Sequence, residues 1–127
     1  MTIIEVLFAI VILSGVMLAL SRFGQGFQRA TRNAANLAMA SDLATARIEL
    51  VRAHPDYSTL VATFDGTTET SATALANPSM QGYDGFTRRT EVSATSTDST
   101  EYVAVTVTVT ASVLTRPMRK SLVIGAF

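Results

Sequence analysis

Residues 1–20 read MTIIEVLFAIVILSGVMLAL, and this stretch decides the fold. The fifteen residues from Val6 to Leu20 are apolar apart from Ser14 and Gly15. As an α-helix that run covers roughly 22 Å, or roughly 27 Å counted from Ile3. A bilayer core is ~30 Å thick, so the segment reads as a membrane-competent helix, with Arg22 placed to snorkel at its end. No basic residue precedes the run and no clean small-residue cleavage pattern comes after it, which argues against an ordinary cleaved signal peptide. One residue breaks the pattern. Glu5 is a carboxylate near the helix start, and a charge in hydrocarbon costs at least ~2.5–3.5 kcal/mol on insertion scales. It has to pair, face water or serve a purpose.

Beyond Arg22 the pattern turns amphipathic. Phe23, Phe27, Ala30, Ala34, Leu37, Ala44, Ile48 and Val51 recur at helical spacing, and Ala38, Met39, Leu43, Ala46 and Leu50 broaden the stripe. Proline is absent until Pro55, and His54-Pro55-Asp56 supplies a stop. These signals predict one helix over about 2–53, roughly 78 Å long. Such a helix is too long for a chain of this size to cover, so its first half needs lipid or neighbouring subunits as solvent. Gly15, Gly24 and Gly26 are weak points in it, each costing up to ~1 kcal/mol relative to alanine. They mark local tolerance, close helix packing, or a segment able to unwind when its surroundings change.

Residues 54–85 read as a loop punctuated by Gly, Pro, Ser, Thr and Asn, with a short helical turn around Tyr57 to Val61. The chain beyond Gly85 reads as antiparallel strands over about 86–95, 101–113 and 117–127. The middle one, EYVAVTVTVTASV, alternates strictly, placing Val103, Val105, Val107, Val109, Ala111 and Val113 on one face against the helix. In the first, Phe86, Thr90, Val92 and Ala94 share a face; STDST supplies the hairpin turn between them. In the last, Leu122, Ile124 and Ala126 alternate against Val123 and Phe127, with Pro117 at its start. The expected fold class is α+β: a long N-terminal helix whose second half carries a small antiparallel sheet. The expected domain organisation has 1–22 as an apolar transmembrane or core segment and 23–127 as a globular head.

Composition excludes several functions. Ten basic and ten acidic residues cancel, so no global field points to nucleic acid. There is no Cys and a single His, His54, so neither a nucleophile–base pair nor a thiolate or His-rich metal site can be built; no enzyme and no cofactor are expected. Asp65, Asp84 and Asp98 lie in loops without calcium-loop spacing. Arg22, Arg29 and Arg32 suit snorkelling or salt bridges between subunits better than DNA. Arg88, Arg89, Arg116, Arg119 and Lys120 read as a basic strip on a solvated sheet edge.

Met1, Thr2, Ile3, Ile4 and Glu5, leading into an unbroken apolar run, resemble the start of mature type IV pilins and the pseudopilins of type II secretion. The motif covers about the first twenty residues. The resemblance implies a filament subunit: made with a leader, cut by a prepilin peptidase before Met1, N-methylated there, held in the inner membrane, then stacked by an assembly machine into a helical filament of identical subunits on the cell surface. It implies that Glu5 neutralises the Met1 α-ammonium, its own or a neighbour's, and so sets axial register. It implies core packing through Ile3, Ile4, Val6, Leu7, Phe8, Ile10, Val11, Leu13, Val16, Leu18 and Leu20. Two features depart from the pattern. Met1 stands where phenylalanine is commoner, as either a processed or an initiator residue. Arg22 stands near the place where many members carry proline, leaving flexibility to the glycines. A minor pilin or type II secretion pseudopilin is the alternative within the family, and a signal-anchored extracytoplasmic binding module is the alternative of a different class.

Overall fold

The computed structural model describes residues 2–73, 78–97 and 100–125. Its longest element is helix α1, Ile3–Arg52, whose 50 residues amount to about 75 Å of α-helix. The helix stops where the stop signal stands: the His54 N–H donates to the Val51 carbonyl at 3.2 Å in a closing turn, and Pro55 comes next. The chain divides into two units, 1–35 and 36–127.

In the second unit, Asp56 caps a short 3-10 turn, Tyr57–Thr59, by accepting from the Ser58 N–H at 3.0 Å. The turn runs into helix α2, Leu60–Phe64. Four strands come after it in sheet order β1-β2-β3-β4, all antiparallel: β1 Thr68–Thr70, β2 Phe86–Thr97, β3 Thr100–Ala111 and β4 Met118–Gly125. The expected sheet is present with one strand more, because β1 pairs Thr68 with Arg89 and Thr70 with Thr87 inside a segment that reads as loop. Gly66 stands just before β1 and Gly85 just before β2, with φ of 68° and 82°, a region other residues rarely adopt.

Period-two alternation sets the core. Val103, Val105, Val107 and Val109 of β3 are buried together with Ala40, Leu43, Ala44, Ile48 and Val51 of α1, and Leu60, Phe64, Met80, Phe86 and Val92 close the cluster. The core thus joins one stripe of α1 to one face of the sheet, as the valine pattern predicts. Four positions depart from the expected faces. Val113 is 54 % exposed because the chain leaves β3 at Ala111 in a turn, with the Leu114 N–H donating to the Ala111 carbonyl at 3.1 Å; Leu114 packs on the core in its place. Ala94 is exposed although it shares the face of Val92. Phe23 and Phe27, which the helical spacing puts in the amphipathic stripe, are 73 % and 66 % exposed, and the buried stripe starts at Ala40. Asp98, Ala126 and Phe127 lie outside the described residues.

Candidate functional site

The first candidate is the apolar part of α1. Thirteen large apolar side chains between Ile3 and Leu20 are exposed, from 41 % at Val6 to 84 % at Ile3. By length and composition this helix can cross a membrane, and none of its apolar window is buried within the chain. Covering the exposed part of those side chains is worth on the order of 10–20 kcal/mol. The expected packing residues Ile3, Ile4, Val6, Leu7, Phe8, Ile10, Val11, Leu13, Val16, Leu18 and Leu20 all belong to this uncovered set.

Glu5 stands at the third position of the helix, and its Oε2 accepts from the Thr2 N–H at 3.1 Å. The Glu5 N–H in turn donates to the Thr2 carbonyl at 3.1 Å. A carboxylate here satisfies one of the orphan N–H groups of the helix start, the glutamate half of a capping box, and faces the positive end of the helix dipole. The sequence did not suggest this local partner, although Thr-x-x-Glu is the spacing that produces it. Met1, the partner expected for Glu5, lies outside the described residues.

Helix α1 passes unbroken through Gly15, Gly24 and Gly26. A side chain at any of the three would meet nothing within 4 Å, so close packing inside the chain does not account for them. Arg22, Arg29 and Arg32 are exposed and enter no ion pair among the described residues.

A second cluster lies inside the head, and it overturns part of the basic-strip expectation. Arg88 is fully buried, on the β2 face shared by Phe86, Thr90 and Val92. Its Nε donates to Glu69 Oε2 at 2.8 Å, its Nη1 to the Leu43 carbonyl at 3.0 Å and its Nη2 to Ser79 Oγ at 3.1 Å. Arg47, also buried, donates from Nε to Thr90 Oγ1 at 3.0 Å, from Nη1 to Glu69 Oε1 at 3.1 Å and from Nη2 to Thr67 Oγ1 at 2.9 Å. Its guanidinium carbon stands 5.0 Å from the Phe64 ring centre, a cation–π contact. Burial lowers the Arg47 pKa; Glu69 opposes that shift and Arg88 adds to it. One carboxylate therefore bridges two buried guanidiniums and ties α1, β1, β2 and the turn at Ser79 together. Arg89 and Arg119 point away from the core, whereas Lys120 is half-buried with Nζ 2.7 Å from Thr45 Oγ1.

A cleft of about 330 Å³ opens at one end of the sheet, lined by Val51, His54, Tyr57, Leu60 and Ile124 among others. His54 Nε2 lies 3.0 Å from Thr59 Oγ1, and its ring meets Phe64 edge-on at 5.2 Å, which holds it as a structural cap of the loop. Asp65 Oδ1 accepts from the Val92 N–H at 2.9 Å, a structural role. Among the described residues, no three His, Asp or Glu side chains stand together in a way that would hold a metal ion.

Compared with known protein families, curated proteins and solved structures, the chain matches none.

Proposed function

We propose that this chain is a structural subunit of a type IV pilus-like filament, held in the inner membrane before assembly and displayed outside the cell afterwards. The observation that carries the reading is the uncovered apolar helix Ile3–Leu20 with its single carboxylate at Glu5, leading into a head that has a complete core of its own. Among the described residues none covers that surface, and exposed apolar patches of this size mark sites of association. Lipid serves before polymerisation, and copies of the same segment serve after it. The resemblance supplies the rest: prepilin peptidase and an assembly machine as partners, methylation at Met1, and Glu5 pairing with an N-terminal amine inside an apolar bundle, where an unpaired charge is heavily penalised. A minor pilin or pseudopilin uses the same helix, and abundance on cells separates it from a bulk subunit.

The variant that tests this is Glu5→Gln. Glutamine at this position still accepts the Thr2 N–H and keeps the cap, so the change removes only the charge. Filament yield should collapse while the head stays folded; normal yield would rule out the pairing role.

The apolar cleft beside His54 and Ile124 favours a second reading, an anchored binding module. That version predicts a detergent-solubilised monomer indifferent to Glu5.

A further inference from the structure

We propose that copies of α1 associate in parallel with an axial offset of 20 residues, about 30 Å, so that Arg22 and Arg29 of one copy meet Asp42 and Glu49 of the next. The proposal rests on the filament reading and specifies how its subunits register.

Four observations carry it. Arg22 and Arg29 stand seven residues apart on α1, two turns along one face, and so do Asp42 and Glu49. Each acid stands 20 residues beyond its arginine. All four side chains are exposed, and none enters an ion pair among the described residues. Every other parallel offset that brings Asp42 or Glu49 to Arg22, Arg29 or Arg32 makes one pair only.

Charge alone also allows an antiparallel pairing, Arg22 with Glu49 and Arg29 with Asp42. Apolar surface decides between them. In the parallel register, residues 3–20 of one copy lie beside 23–40 of the next, where Phe23, Phe27 and Leu37 are exposed at 73 %, 66 % and 46 %. The uncovered run then meets the uncovered aromatic side chains. The antiparallel register sets residues 3–20 against 51–68, past the end of α1 at Arg52, so the uncovered run meets no partner helix. It also places the two membrane-competent segments at opposite ends of the pair. A parallel, staggered contact is heterologous: each copy offers its arginine pair to one neighbour and its acid pair to another, so the contact propagates as a filament.

The chain has no cysteine, so introduced thiols report the register without background. The double variant Leu18→Cys with Ala38→Cys, positions 20 residues apart, is treated with a short bis-maleimide in sheared assemblies of the full chain. The expected result is a ladder of multimers that neither single variant gives. A companion variant, Ala35→Cys alone, lies at the centre of the antiparallel register and should give no dimer. Asp42→Arg should lower assembly roughly two- to fivefold, the size of one exposed ion pair, and Arg22→Asp in the same chain should restore it. Intact filaments that give no ladder, or dimers from Ala35→Cys, would overturn the register and leave the filament reading standing. A wild-type chain that forms no assemblies would overturn both.

Discussion

Replacing Glu69 with glutamine leaves Arg47 and Arg88 facing each other without the carboxylate between them. In the wild-type head, Glu69 is 3.1 Å from Arg47 Nη1 and 2.7 Å from Arg88 Nη2, and the arginine side chains are 6 % and 0 % exposed. Glutamine offers one oxygen in place of two and turns an N–H group toward guanidiniums that have only donors. Removing one partner of a buried pair costs ~3–5 kcal/mol. Because 14 % of the Glu69 side chain still reaches solvent, the low end applies, about 3 kcal/mol. In a domain of this size that lowers Tm by roughly 12–24 °C. The assay is thermal unfolding of the detergent-solubilised chain by near-UV circular dichroism, which reports on Tyr57, Tyr83 and Tyr102, all in the head unit. Arg89→Ala is the control: its pair with Glu91 is 3.1 Å long but more than half exposed on both sides, so the loss should stay under ~1 kcal/mol. If Glu69→Gln and Arg89→Ala melt alike, the bridging argument is wrong.

The core and the caps carry further consequences. Leu43→Ala opens a cavity in the apolar core and should destabilise the head by ~2–5 kcal/mol in the same melts; a loss below that range would mean the site collapses. The Asp56 carboxyl is held below the usual carboxylate range by the Ser58 hydroxyl and N–H. Its folded-state pKa is depressed, so its contribution is present above the ordinary value of ~3.9 and is lost as pH falls through the lower folded value. Asp56→Asn keeps a capping oxygen without titrating, so it should flatten the acid-side decline in head stability. An unchanged acid profile would assign that decline elsewhere.

Much of the fold is legible because two periods are clean. The apolar run and its continuation at helical spacing give α1 nearly to the residue, and the valines of β3 name the core face. What escapes the sequence is set by tertiary context. Strand β1 is three residues of Thr-Glu-Thr, too short to carry a period, and exists because β2 offers a free edge. Arg88 reads as solvated by the default rule for charged residues, yet it alternates with Phe86, Thr90 and Val92, and that spacing already places it on the core face. Arg47 likewise falls between Ala44 and Ile48 in the buried stripe. Their shared partner, Glu69, has no sequence signal at all. In the candidate site, the apolar helix and Glu5 are visible at once, whereas the cap from Thr2 needs the local geometry.

The central claim is that the helix beginning at Ile3 polymerises after processing. Mass spectrometry of the intact chain and of its N-terminal peptide, on protein sheared from the cell surface, tests it most directly. Abundant chain beginning at a methylated Met1 is the predicted result. An unmethylated or formylated Met1, recovered only from the membrane fraction, would contradict it and leave Glu5 as a helix cap on a plain anchor.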